Sequence, residues 1–147
     1  GGDPKRRRAA RPFAGVASVA GMEIAAVVAV VLLGTMAVFQ AALALGAPFG
    51  TVAWGGKHPG MLPPGLRVAS AVAALIIYPG IITIVLNASR LVDVEWLPTN
   101  EGTMWFLAAI FTLGTIANLM SQSQPERVWA PVSAAIAICC AVIAGDM

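Results

Sequence analysis

Residues 24–45, IAAVVAVVLLGTMAVFQAALAL, decide what kind of fold this chain can adopt. The run carries no charge, and Thr35 and Gln40 are its only side chains with hydrogen-bonding groups. A helix rising ~1.5 Å per residue over such a run crosses the ~30 Å hydrocarbon core of a bilayer. Comparable apolar runs follow at about 68–87, 104–120 and 124–144. Across the 147 residues, 59% are hydrophobic and 11% charged, against about 45–50% and about 25% in soluble domains. A soluble domain of this size could not cover its surface with so little charge. The expected fold is all-α: a polytopic membrane protein built as a four-transmembrane-helix bundle, one membrane domain over 13–147 behind a basic tail over 1–12. Connections fall at 46–67, 88–103 and 121–123, and the brevity of the last makes helices three and four an antiparallel hairpin.

Local chemistry refines the four runs. The first apolar stretch extends back to Phe13, too long for one span. Glu23 therefore has two placements: the headgroup boundary, or partly inside the bilayer, where a carboxylate is a functional candidate. Pro79, in Tyr78-Pro79-Gly80, removes the hydrogen bond to the carbonyl of Leu75 and predicts a kink in the second span. Pro131 predicts a bend near one end of the fourth. Ser123-Gln124-Pro125-Glu126 has the form of a capping box, and Trp129 suits the headgroup level. Ser133, Ala137, Ala141 and Gly145 recur every four residues as a small-residue stripe. Cys139 and Cys140 are adjacent within an apolar run and read as packing residues.

Charge sets the expected topology. Five of the nine cations cluster at Lys5, Arg6, Arg7, Arg8 and Arg11, a pattern of attraction to anionic lipid headgroups, with no nucleic-acid partner implied. Followed by an apolar run and Ala42-Leu43-Ala44, the cluster imitates a signal peptide. The run, however, exceeds the ~7–15-residue core of such peptides and reads as a span. With four spans both termini share a side; that side also carries Arg90, while Lys57, Arg67 and Arg127 lie opposite. This asymmetry places both termini in the cytoplasm.

The stretches LGAPFGTVAWGGKHPGMLPPGLRVAS (45–70) and NLMSQSQPERVWAPV (118–132) resemble a widespread group of small, mostly uncharacterised bacterial four-helix membrane proteins. The resemblance spans most of the chain from about residue 39 to 144. It implies four spans in a bacterial cytoplasmic (inner) membrane and brings no catalytic residue. It also implies basic first and third connections facing the cytoplasm, opposite to the orientation that the tail predicts.

No metal-ligand spacing, nucleophile motif or phosphate loop is present, so the chain reads as non-enzymatic, without cofactor or metal. The candidate binding residues lie at one end of the bundle. Trp54, Lys57, His58 and Arg67 come from the 46–67 connection and the start of the second helix, with Arg127 from the third connection. The cations and that helix N-terminus could hold an anionic headgroup, or simply snorkel and anchor. Gln40, Ser70 and Asn118, with Ser121, share the same depth, either as interhelical hydrogen-bonding glue or as the polar end of a cavity. The leading expectation is binding of an apolar or lipid-like ligand, or of a partner membrane protein, beneath the 46–67 connection. The alternative is a small oligomeric transporter or channel using Glu23. Expected partners are membrane lipids and a homo-oligomer or second membrane protein.

Overall fold

The computed structural model describes residues 4–97 and 99–147, with side chains from Ser18 onward. The basic cluster of the tail therefore has its side chains outside the described residues. Four helices carry the fold: α1 (Pro4–Ala44), α2 (Pro64–Ala88), α3 (Glu101–Leu119) and α4 (Trp129–Asp146). Among the described residues, four segments are long and apolar enough to cross a membrane: Ser18–Ala44, Pro64–Ala88, Glu101–Leu119 and Pro125–Asp146. The chain is thus a multi-pass membrane protein with a four-helix bundle. α1 begins ahead of the first span and runs into it without a break.

α1 and α4 form the centre. α3 packs most extensively on α4, α4 also packs on α1, and α2 packs on α1. The core lies at this crossing. Ala25, Ala26, Ala29 and Leu33 of α1 meet Ile136, Ala137, Cys140 and Ile143 of α4, with Val85 of α2 and Met104 of α3 closing the sides. Alanines on the α1 face let the two backbones approach closely, the device that substitutes for a hydrophobic drive inside lipid. The expected small-residue stripe on α4 holds only in part. Ser133 and Ala137 are buried, but Ala141 is half-buried and Gly145 exposed. A spacing of four overshoots a turn of 3.6 residues by about 40°, so three such steps rotate the stripe off the contact face. Cys139 and Cys140 are free and buried, as packing residues would be.

The two prolines act differently from simple kinks. Ahead of Pro79, residues Ala73–Ile77 form a π-helical turn, and the Tyr78 N–H reaches back to the Ala73 carbonyl. The helix absorbs the missing donor as one widened turn. Pro131 does not bend an established helix. A 3₁₀ turn at Pro125–Val128 precedes α4, which begins at Trp129, so Pro131 sits in the first turn, where no donor is needed.

Both ends of the bundle are tied. At one, the Ser18 hydroxyl donates to the Asp146 carboxylate at 2.8 Å, joining α1 to the end of α4. Here Asn87 organises the second connection. Its amide donates to the Leu97 carbonyl and the Thr99 hydroxyl, and its oxygen accepts from the Val94 N–H. Glu23 is exposed on the outer face of α1, two residues beyond Gly21, which lies against Asp146. At the other end, α1 stops in a Schellman turn. Gly46, at φ 101°, bonds Leu43, and Ala47 bonds Ala42, the 5→2 and 6→1 pair that ends helices at glycine.

Candidate functional site: a lidded cleft

The 46–67 connection is a folded lid. Two 3₁₀ turns, Gly50–Val52 and Trp54–Gly56, are closed by the Gly50 N–H donating to the Gly60 carbonyl at 2.9 Å. The lid has its own apolar footing, with Ala53 and Leu62 buried against Leu43 and flanked by Phe39 and Leu66. Phe39 also stacks on Phe49, with centroids 6.4 Å apart, and meets Trp129 at 4.6 Å.

Polar contacts then fasten the lid across the bundle. The Trp54 indole N–H donates to the Ser70 hydroxyl of α2 at 3.0 Å. From the α3–α4 side, the Ser123 hydroxyl donates to the Thr51 carbonyl at 2.6 Å and the Trp129 indole to the Val52 carbonyl at 2.9 Å. Glu126 is the third fastening. One carboxylate oxygen accepts from the Gly55 N–H at 2.8 Å, the other from the Ser121 hydroxyl. These contacts revise one expectation. Ser123 and Glu126 do not make a capping box, because the lid offers partners that outcompete the first turn of their own helix. Trp129 is a half-buried post under the lid, and its indole N–H is spent on the Val52 carbonyl. The fit is close at Gly56, whose φ is 65°; a Cβ there would lie 2.2 Å from the Ser123 Cβ.

Beneath the lid is a cleft of about 350 Å³. Its body is apolar, with Met36 and Phe39 from α1, Tyr78 from α2, Ile110 and Phe111 from α3 and Trp129 from α4. Its upper end is polar, lined by Gln40, Trp54, Asn118, Glu126 and Ser133. α2 packs on α1 and α3 on α4, and α2 and α3, which both line the cleft, make at most marginal contact with each other. The Asn118 amide spans toward the Ser133 hydroxyl at 3.4 Å. The Gln40 Oε1 is buried and has no hydrogen-bond partner among the described residues. A second cleft of about 300 Å³ lies on the other side of Asn118 and Glu126, lined also by Gly55, Lys57, Ser121 and Gln122.

The sequence-derived candidates separate into three groups. Gln40, Trp54 and Asn118 line the main cleft, and Ser70 is buried behind Trp54. Each cation takes a different neighbourhood. Lys57 lines the second cleft; Arg67 Nε donates to the Ala44 carbonyl at the end of α1; Arg127, exposed, donates to the Ser121 carbonyl. His58 is half-buried in the lid and lines neither cleft. Glu23 likewise lines neither. Sequence reasoning overlooked Glu126 as a lid partner, along with Phe39 and Tyr78 as cleft walls. The available signal for Glu126 was an acid set among serines at a membrane boundary. Among the described residues, no group of three or more His, Cys, Asp or Glu side chains could hold a metal ion.

No protein-family model matches the chain, and neither a curated protein nor a solved structure is significantly similar to it. The chemistry of the cleft therefore carries the functional reading.

Proposed function

We propose that this protein holds an apolar or lipid-like molecule in the cleft beneath the 46–67 lid and catalyses no reaction. The observation that carries the reading is the cleft itself: an apolar body lined by all four helices and polar groups under a fastened lid. Its volume of about 350 Å³ falls within the range of small-molecule sites, about 300–1,000 Å³. In this reading the protein resides in a bacterial cytoplasmic membrane, and the basic tail holds both termini on the cytoplasmic side. The rival reading, an oligomeric transporter, needs several copies arranged so that Glu23, exposed on the outer face of α1, turns toward a shared pathway.

Gly114 supplies the test. It lines the cleft, and a Cβ there has only the Ser133 hydroxyl, at 3.9 Å, nearby. Gly114→Leu would therefore fill the cleft without a backbone clash. Native mass spectrometry after mild extraction is expected to show a retained small molecule on the parent chain that Gly114→Leu loses. An empty parent chain, or equal retention by both, would overturn the proposal. A discrete oligomer that dissociates with Glu23→Gln would instead favour the transporter.

A further inference from the structure

We propose that Pro79 is a positioning residue for the lid: through the π turn at Ala73–Ile77 it sets the helix register in which Ser70 can hold Trp54. The inference concerns how the lid is closed, and it holds for an empty cleft as for a filled one.

The register shows in which residues of α2 turn inward. Leu66 flanks the apolar footing of the lid, Ser70 and Ala74 are buried, Tyr78 lines the cleft, and Ile82 packs on the main core. They recur every four residues. In a regular α-helix each step of four overshoots a full turn by about 40°. Tyr78 would then stand about 80° round the helix from Ser70, and Ile82 about 160° from Leu66. A π turn takes up one more residue than an α turn and holds the rotation back by about 100°. Ser70 and Tyr78 thereby return to within about 20° of each other. The widened turn shows also as a break in the outward pattern, with Leu75, Ile76 and Ile77 exposed in succession.

Pro79 favours the wide turn. Were this turn α-helical, its ring would meet the Leu75 carbonyl, which would also lack its donor. The π turn, in which the Tyr78 N–H reaches back to the Ala73 carbonyl, widens the helix there and makes room for the ring. Pro79 itself is exposed and lines neither cleft. Its reach to the lid therefore runs through the helix.

The lid is sensitive to this register because Trp54 is held to α2 through Ser70. The indole N–H donates to the Ser70 hydroxyl at 3.0 Å, and Ser70 is fully buried. Trp54 has a backbone φ of 53°, a left-handed conformation that is costly for a bulky residue. Such a conformation persists only while its surroundings hold it. If the π turn closed to α with every residue retained, the half of α2 nearer the lid would turn by about 100° and carry Ser70 off the indole.

The test is deuterium exchange at the Trp54 indole N–H and the Gly55 amide, followed by NMR of the isotope-labelled chain in detergent micelles. The first reports the bond to Ser70. The second, donated to Glu126, reports loosening of the neighbouring lid. Pro79→Ala restores the missing donor and removes the ring, so the turn closes to α. Both groups are then expected to exchange at least about tenfold faster than in the parent, the factor that loss of one hydrogen bond gives. Ser70→Ala, which breaks the bond and leaves the register alone, should speed the indole to the same extent. Rescue separates register from damage. Deleting Ile76 from the Pro79→Ala chain gives a regular α-helix one residue shorter, in which Ser70 and Tyr78 again stand within about 20° of each other. That deletion should restore the parent rates. Ile76→Ala in the same background, which removes the side chain but keeps the residue, should not. Unchanged exchange in Pro79→Ala overturns the inference. So does rescue by Ile76→Ala, or a deletion chain that exchanges fast or fails to fold, because the register it restores is the native one.

Discussion

Replacing Glu126 with alanine should loosen the lid by an amount that follows from its two hydrogen bonds. The carboxylate is buried, one oxygen accepts from the Gly55 N–H at 2.8 Å, and the other accepts from the Ser121 hydroxyl. A hydrogen bond to a charged group contributes about 1.5–3 kcal/mol. Gly55 is exposed and Ser121 half-buried, so water recovers part of each loss, and the buried charge no longer has to be desolvated. The net cost is therefore about 2–3 kcal/mol for the pair. With about 4 °C per kcal/mol for a chain of this size, the melting temperature should fall by roughly 8–12 °C. Glu126→Gln keeps an acceptor for one partner and should lose about half as much. Cys139 and Cys140 provide the assay. Both are buried, so a thiol-reactive fluorophore reports unfolding in detergent without an engineered cysteine. A double-mutant cycle with Ser121→Ala should give a coupling of about 1 kcal/mol. If Glu126→Ala melted within about 2 °C of the parent, the carboxylate would not be fastening the lid, and the reasoning would fail.

Four further outcomes follow from the same geometry. Gly56→Ala forces a Cβ to within 2.2 Å of Ser123 at a φ of 65°, whereas Gly55→Ala at φ 80° meets open space. Gly55→Ala should cost about 1 kcal/mol, the left-handed penalty alone, and Gly56→Ala clearly more, both read by the thiol assay. Gln40→Met in the ligand-free protein should raise stability by about 1 kcal/mol, because it removes a buried acceptor that lacks a partner; a fall of that size would mean the oxygen is satisfied. Asn87→Ala breaks three hydrogen bonds across the second connection and should speed amide exchange at Val94 at least about tenfold. Trp96→Cys and Gln122→Cys should label from opposite faces of oriented vesicles, since α3 separates the two sites; labelling from one face would refute the four-span fold.

The helices were legible because each crosses a bilayer and must be apolar along its whole length. The expected span at 124–144 matches the observed Pro125–Asp146 closely, and 68–87 lies inside Pro64–Ala88. What escaped was every feature set by a partner distant in sequence. Ser123 and Glu126 carry the local pattern of a capping box, yet Thr51 and Gly55 of the lid take their hydrogen bonds. Pro79 announces a disturbance, but whether the helix answers with a bend or with the π turn at Ala73–Ile77 depends on the packing of α2 against α1. The shared depth of Gln40, Ser70 and Asn118 could be read from their places in the spans. That Gln40 keeps a lone oxygen while Ser70 is taken by Trp54 depends on side-chain geometry that no spacing encodes.

The lid also bears on the order in which the protein can be assembled in the membrane. α1 with α2, and α3 with α4, are hairpins able to insert one after the other during synthesis. The lid belongs to the first, but its fastenings to Glu126, Ser123 and Trp129 join residues 71 to 77 positions apart. Until the second hairpin arrives, Gly55, Thr51 and Val52 lack those partners and the cleft has only half its walls. Closure of the lid is thus a mark of completed biogenesis, and a chain stalled after α2 would present this end of the bundle unfinished to whatever quality control patrols the bilayer.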